Sequence, residues 1–169
     1  MNLATDLLEQ AQHLARRERK RPRQASLRRA VSAAYYALFH RLVAAACAEL
    51  LPGVTPTTRA LLARSFDHGE MMRACRPLVG GTLPAGIVVP DGPPSPELRQ
   101  IAEAFVELQQ ARHSADYDSL RRFTRAEAVE LVKLAGRGID AWGALRKVSP
   151  QQARFLLVLL LTYSRTRAA

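Results

Sequence analysis

Apolar residues recur every three or four positions along most of the chain, which is the spacing of amphipathic α-helices. Helices are therefore predicted over about residues 2–17, 26–51 and 55–75, from Pro96 through Ala115, from Thr124 through Leu145, and from Ser149 to about Arg165. No alternating, strand-like run competes with them. The sequence predicts an all-α fold, an up-down antiparallel bundle of about six helices in a single domain spanning residues 1–169.

Each predicted helix carries an apolar stripe that is expected to face the core. The stripes are Leu3, Leu7, Ala11 and Leu14 in the first helix; Leu27, Val31, Ala34, Tyr35, Leu38 and Leu42, with Phe39 and Val43 beside them, in the second; Leu61, Leu62, Phe66 and Met72 in the third; Leu98, Ile101, Phe105 and Leu108 in the fourth; and Val129, Val132, Ile139, Trp142 and Leu145 in the fifth.

Turn residues mark the ends of these helices. Pro52-Gly53 ends the second helix, and residues 77–96, which hold six of the ten prolines and four of the nine glycines, are predicted to form a loop or lid. The helix-start signals are Thr55, Ser95-Pro96, the capping box Thr124-x-x-Glu127, and Ser149-Pro150-Gln151-Gln152, which combines a capping box with proline at the first helical position.

The last predicted helix contains a segment, residues 155–161, that is apolar around its whole circumference. Such a helix must be covered on all sides. A terminal helix of a small bundle rarely achieves this inside one subunit, so we expect a homodimer in which this segment forms part of the interface. The alternative is a helix enclosed entirely by its own core.

The positive charge of the chain is concentrated in one place. Of a net charge of +10, +7 lies in residues 16–29, here called the basic segment, in which Glu18 is the one acid. Its basic residues are Arg16, Arg17, Arg19, Lys20, Arg21, Arg23, Arg28 and Arg29. The basic segment could contact RNA phosphates without regard to sequence, or it could be a solvated turn. It lacks the interleaved aromatic residues that stack on bases. Arg28 and Arg29 could instead line a cleft with Arg112.

Other features of the composition bear on the compartment. Cys47 and Cys75 lie outside any CxxC motif and are expected to be reduced and buried. The beginning of the chain lacks the apolar region of a signal peptide, and the run from Phe155 to Leu161 is too short to span a bilayer. A cytoplasmic protein without a membrane segment is predicted.

Two helical segments place polar side chains on or beside faces that otherwise look like core. Arg112 continues the apolar stripe of the fourth helix, and Asp116 follows one turn later, where it could hold the guanidinium in an ion pair. Tyr36 and His40 form a similar pair on the second helix. We expect these four residues to meet, either as a structural polar cluster that fixes helix register or as part of a functional site.

The segments that carry these residues, Ser32-Ala33-Ala34-Tyr35-Tyr36-Ala37-Leu38-Phe39-His40 and Ala111-Arg112-His113-Ser114-Ala115-Asp116-Tyr117-Asp118, resemble the HEPN superfamily. The similarity is to its bacterial branch, with S-x-x-Y-Y-A-x-F-H on one long helix and R-x-x-A-D-Y-[DE] on a later one, and covers residues 24–146. It implies a homodimer that binds RNA or a nucleotide-containing ligand in a basic cleft, as a toxin-like component of a toxin–antitoxin or defence system. An antitoxin or a nucleotidyltransferase would be its partner.

Many HEPN domains are metal-independent ribonucleases whose active site is an arginine followed after four to six residues by a histidine. This sequence departs from that motif, because Asp116, Tyr117, Asp118 and Ser119 occupy the positions after Arg112 where the histidine would stand. Enzymatic activity is therefore left open. A ribonuclease would need a non-standard site at Arg112, Asp116 and Tyr117, and the remaining alternative is a non-enzymatic scaffold for an acidic protein.

No cofactor or metal ion is expected from the sequence. Asp67-His68-x-Glu70 has no second cluster at ligand spacing, so a solvated helix face is favoured over a metal site. Asp116 and Asp118 look like the carboxylate pair of a nucleotidyltransferase, but residues two apart on a helix point to nearly opposite sides. Neither pair is taken as a functional site.

Overall fold

The computed structural model describes residues 2–80 and 82–166. Over these residues the chain forms seven α-helices and no β-strand. The helices are α1 (Leu3–Arg16), α2 (Gln24–Glu49), α3 (Pro56–Arg64), α4 (His68–Gly80), α5 (Pro96–Tyr117), α6 (Arg125–Val148) and α7 (Pro150–Thr166). The all-α prediction is confirmed. The up-down order and the single-domain organisation stay predictions.

The single helix predicted over residues 55–75 is wrong, because the chain divides it into α3 and α4. Thr55 caps α3 as predicted, its Oγ1 accepting a hydrogen bond from the Thr58 N–H at 3.3 Å. The Asp67 carboxylate accepts a hydrogen bond from the Glu70 N–H at 2.9 Å and thereby caps the start of α4. A side chain that satisfies the first N–H groups of a new helix makes a break here stable.

The loop predicted over residues 77–96 begins later than expected. Helix α4 continues through Pro77 to Gly80. Proline lacks the N–H that would bond one turn back, which usually ends a helix. Here the cost falls in the last turn of α4, where the neighbouring Leu78 is only 2% exposed and holds that turn in the core.

The chain groups into two compact units. The first contains residues 1–41 and 104–139, and the second contains residues 42–103 and 140–169. The boundaries therefore fall within the sequences of α2, α5 and α6.

In the first unit, α1 buries a different face from the one predicted. Its buried residues are Ala4, Ala11 and Ala15, whereas Leu3 is exposed and Leu7 and Leu14 are only half-buried. Small alanine side chains let the backbone of α1 lie close to its neighbours, and this contact prevails over burial of the larger leucines. The half-buried leucines instead line a groove that is described below.

The predicted stripe of α2 is confirmed, since all of its members are buried. Within the first unit, the Tyr35 and Phe105 rings meet edge to face with their centroids 5.6 Å apart. Helix α6 comes close to both helices at Gly138, where an added Cβ would lie 3.1 Å from the side chains of Ala104 and Leu38. A larger residue at position 138 would press on the side chains of Ala104 and Leu38, which would have to move by a few tenths of an ångström.

In the second unit, α4 packs against α7. The buried residues of α4 are Met71, Ala74, Cys75 and Leu78, so Met71 faces the core in place of the predicted Met72. Leu61 was also predicted to face inward and is instead 59% exposed. Cys47 and Cys75 are free and buried as predicted, and burial raises the pKa of the Cys75 thiol well above its ordinary value.

The apolar segment of α7 is covered largely by its own chain. Leu156, Leu157, Leu159 and Leu160 are buried, whereas Val158 is 44% exposed and its neighbours Phe155 and Leu161 are half-buried. Enclosure within the chain thus accounts for most of the segment. The homodimer interface stays a prediction, limited to the exposed strip around Val158.

The capping box predicted at Ser149 does not form. Among the described residues, Ser149 Oγ finds no hydrogen-bond partner. Gln152 is 3% exposed and reaches the preceding loop, where its amide accepts from the Ser95 N–H at 2.9 Å and donates to the carbonyls of Pro90 and Pro93, each at 3.1 Å. Because the Gln152 amide is hydrogen-bonded to three backbone groups of the loop, it does not accept the hydrogen bond from the Ser149 N–H that a capping box requires. The caps at Ser95 and Thr124 form as predicted.

Among the described residues, one helix, α2, has the length and apolar composition needed to cross a membrane. Of the residues in that apolar window, 72% are buried inside the chain. Core helices pass the same test. The cytoplasmic location stays a prediction.

Candidate functional site

A cluster of polar side chains joins α2 to α5 within the first unit. Arg112 Nη2 donates a hydrogen bond to Tyr36 Oη at 3.0 Å, and Arg112 Nε lies 2.7 Å from Asp116 Oδ2. Asp116 Oδ1 in turn accepts a hydrogen bond from Ser32 Oγ at 2.5 Å. The structure thus brings together Tyr36, Arg112 and Asp116 and adds Ser32, which opens the first motif but was not among the expected site residues.

The Arg112 guanidinium is held on several sides. Its side chain is 13% exposed, and its central carbon lies 5.5 Å from the centroid of the Tyr36 ring and 5.4 Å from that of Tyr117, which is within cation–π range of both. The Nε–H does not point at the nearby Asp116 oxygen, so that contact is an ion pair and not a directed hydrogen bond. Burial opposes the charge, but Tyr36 and Asp116 raise the pKa of Arg112 above its ordinary value.

His40 takes part through its ring. The His40 and Tyr36 rings are stacked with centroids 6.1 Å apart and an interplanar angle of 28°. Burial lowers the pKa of the His40 imidazole, so this histidine is neutral at pH 7. His40 therefore joins the cluster as an uncharged ring packed on Tyr36.

The basic side chains of the basic segment are exposed with one exception. Seven of its eight basic residues are exposed, and Arg28 is half-buried. Arg28 Nη1 donates to the Ala115 carbonyl at 2.8 Å, and its Nη2 donates to the carbonyls of Asp118, at 2.7 Å, and Arg121. These carbonyls belong to the end of α5 and the turn after it. Arg28 was expected among the RNA-binding residues, but its donors are engaged in holding this turn.

The backbone of the basic segment is fixed by two charged side chains. The Glu18 carboxylate accepts hydrogen bonds from Ser26 Oγ at 2.7 Å and from the Arg23 N–H at 3.3 Å, and the bond from Ser26 lowers the pKa of Glu18. Arg125, at the start of α6, donates to the Arg19 carbonyl at 3.0 Å and also to the Glu18 carbonyl. The one acid of the segment therefore orders the turn that displays the basic residues. Sequence reasoning missed Arg125, because an arginine that binds main-chain carbonyls leaves no residue pattern.

A groove of about 440 Å³ runs between α1 and α2 beside this segment. Its walls include Leu7 and Leu14 from α1, and Ser32 and Tyr36 from α2. Two exposed residues of the basic segment, Arg17 and Arg29, also line it. Ser32 and Tyr36 of the polar cluster are part of the groove wall, and they are hydrogen-bonded to Asp116 and Arg112. The lining includes Arg29 but neither Arg28 nor Arg112, so a cleft shared by all three arginines, as one sequence interpretation expected, is not found here.

The charged side chains of the polar cluster are held in place by contacts with one another and with Ser32 and Tyr36. Asp116 Oδ1 accepts a hydrogen bond from Ser32 and its Oδ2 pairs with Arg112, so both carboxylate oxygens are engaged within the protein. His113 is exposed, and its ring lies 5.0 Å from that of Tyr117, at the surface end of α5. The region that was weighed as a metal site is used structurally: Asp67 caps α4, and Glu70 pairs with Arg73. The described residues contain no group of three or more histidine, cysteine or acidic side chains that could hold a metal ion.

Comparison of the chain with models of known protein families, with curated proteins and with solved structures gave no significant match.

Proposed function

We propose that this chain is a HEPN-like helical domain that forms a homodimer and binds RNA, or another nucleotide-containing ligand, through the basic segment and the groove beside it. In that role it would be the toxin-like component of a toxin–antitoxin or defence system, with an antitoxin or a nucleotidyltransferase as partner. The observation that carries the proposal is the display of seven exposed basic side chains on a backbone pinned by Glu18 and Arg125.

A fixed backbone favours binding, because a flexible loop would lose conformational entropy when it became ordered on a polyanion. Here the order is already present in the free protein, so each phosphate contact contributes with little reorganisation. The groove supplies a concave surface with Arg17 and Arg29 on its walls. Contacts of this kind are independent of sequence and strongly weakened by salt.

The cluster at Arg112 favours binding over cleavage. A catalytic arginine must be able to meet charge that develops on the phosphate, and a proton carrier must lie within hydrogen-bond reach of the reacting oxygens. The Arg112 side chain is 13% exposed, and its guanidinium already binds Tyr36 and Asp116. We therefore assign Arg112 and Asp116 a structural role in supporting Tyr36 at the groove wall and propose no cleavage reaction.

A salt titration of RNA binding tests the proposal. With about five phosphate contacts and a slope of about 0.7 per contact, a log–log plot of affinity against salt concentration should have a slope near −3.5. Changing Arg19, Lys20, Arg21 and Arg23 together to Gln should flatten that slope and leave helicity unchanged. The matched control changes four exposed arginines outside the basic segment to Gln and removes the same charge: Arg59, Arg64, Arg76 and Arg99.

Equal loss of slope in the two quadruple variants would show that only net charge matters and would refute the assignment of the basic segment. Absence of binding at low salt would favour the scaffold for an acidic protein. The same samples should show no cleavage with EDTA or with Mg²⁺. Metal-independent cleavage that disappears in Arg112→Ala would promote the non-standard ribonuclease.

The homodimer is tested separately. Light scattering should give about twice the chain mass of 18.7 kDa. Val158 is the exposed centre of the apolar strip on α7, so Val158→Glu should return the mass to that of one chain, because a carboxylate would be buried without a partner. A folded wild-type monomer at micromolar concentration would argue against this part of the proposal.

A further inference from the structure

Tyr117, the last residue of α5, presents an aromatic ring to solvent. It is 67% exposed. The ring is nevertheless positioned by its neighbours: the Arg112 guanidinium carbon lies 5.4 Å from its centroid, and the His113 ring lies 5.0 Å away at an angle of 50°. An exposed ring that already has a cation nearby is an amphipathic surface on which another flat group can stack.

The backbone that carries Tyr117 is held on both sides. Arg28 donates to the carbonyls of Ala115 and Asp118, two residues before and one residue after it. The Asp118 carboxylate accepts hydrogen bonds from the N–H groups of Leu120 at 2.9 Å and Arg121 at 3.1 Å, which fixes the following turn. The backbone beneath the ring is therefore fixed, and stacking of another flat group on the ring would cost little conformational entropy.

Tyr117 is also linked to the groove of the proposed function. The same guanidinium that lies beside its ring donates to Tyr36, whose side chain lines the groove with Arg17 and Arg29. Cationic side chains that follow a nucleic-acid backbone, next to an aromatic ring open to solvent, are the combination found in proteins that bind single strands. A base in a duplex is already stacked and paired, so its face is not available to such a ring.

We infer that Tyr117 stacks an unpaired base, and that the ligand is therefore single-stranded RNA and not duplex RNA. This inference rests on the proposed function, since the phosphates would be held by the basic segment. The basic segment itself lacks aromatic residues that could stack on bases, and the stacking ring comes instead from the end of α5.

The test compares probes of equal charge at one low salt concentration: a short oligoadenylate, an abasic RNA of the same length, and an RNA duplex. The wild-type chain should bind the oligoadenylate about tenfold more tightly than the abasic RNA, the amount expected for one stacked base. Tyr117→Ala should remove that preference, and Tyr117→Phe should retain it. Leu120→Ala is the matched control, because Leu120 is 89% exposed on the fixed turn that follows Tyr117 but has no π system.

Three results would overturn the inference: equal binding of oligoadenylate and abasic RNA by the wild type, tighter binding of the duplex, or an equal effect of Leu120→Ala and Tyr117→Ala, which would mark an apolar protein-binding patch. If the abasic RNA is bound with a steep salt dependence and the oligoadenylate is bound no better, only the stacking inference fails. If neither probe is bound at low salt, the proposed function fails as well.

Discussion

Replacement of Asp116 by Ala is the sharpest probe of the polar cluster. The change removes the hydrogen bond from Ser32 and the ion pair with Arg112. A hydrogen bond to a charged group contributes about 1.5–3 kcal/mol, and loss of one partner from a fully buried pair costs about 3–5 kcal/mol. The second figure is an upper limit here, because the side chain of Asp116 is 22% exposed. In addition, Arg112 keeps its hydrogen bond to Tyr36 and its contacts with the rings of Tyr36 and Tyr117.

We therefore expect Asp116→Ala to lower the free energy of unfolding by about 2–4 kcal/mol. For a chain of this size, that corresponds to a fall of roughly 5–15 °C in the thermal midpoint. The assay is thermal and urea unfolding followed by circular dichroism. Asp116→Asn should lose less than Asp116→Ala, since its amide oxygen can still accept the bond from Ser32. Glu103→Ala, which removes an exposed acid from the same helix, should change stability by less than about 0.5 kcal/mol.

A double-mutant cycle with Ser32→Ala separates the hydrogen bond from general helix effects. Residues in direct contact should show a coupling free energy of about 0.5–3 kcal/mol. If Asp116→Ala unfolds at the wild-type temperature, or if the cycle shows no coupling, then Arg112 is solvated and the cluster does not join α2 to α5 in the way described.

Three further predictions concern stability. Arg28→Ala should cost about 2 kcal/mol, because three carbonyls lose their donor, and should speed amide exchange in the turn after α5, whereas Arg29→Ala should do neither. Gln152→Ala should cost about 2–3 kcal/mol and loosen the loop before α5. Burial lowers the pKa of His40, so the unfolded chain takes up its proton first and stability should fall as the pH drops below about 6.5; His40→Gln should flatten that slope.

Each of these has a clear contrary result. Equal effects of Arg28→Ala and Arg29→Ala would mean that the turn holds itself in place. Unchanged amide exchange in the loop of the Gln152→Ala protein would show that other contacts fix it. An unaltered acid slope in His40→Gln would assign the pH dependence to other groups.

Much of the fold follows from the sequence, because buried stripes and caps are local signals. The stripe of α2 is buried as predicted, and the capping box at Thr124 forms with both of its hydrogen bonds. The break between α3 and α4 also had a local signal, the pair Asp67 and Glu70, which was weighed for metal binding and not for capping. The buried face of α1 had none, because close approach through alanines depends on neighbours that the sequence does not reveal.

The candidate site divides in the same way. The contacts of Arg112 with Tyr36 and Asp116 were expected, since polar residues on a core stripe need partners. The role of Arg28 was not, because main-chain carbonyls accept from any residue and leave no trace in the sequence. The sequence suggests Tyr117 only as part of a non-standard ribonuclease site. Its exposure could not be predicted, because it depends on where α5 ends.

Gln152 has a consequence for the order of folding. Its side chain hydrogen-bonds groups that lie 57, 59 and 62 residues earlier in the chain. Contacts over such separations form late, because the loop-closure entropy must be lost first. We therefore expect the loop before α5 to reach its native form only after α7 has docked. We expect Gln152→Ala to accelerate unfolding far more than it slows folding. The docking of α7 would then set how long the loop stays in its native form.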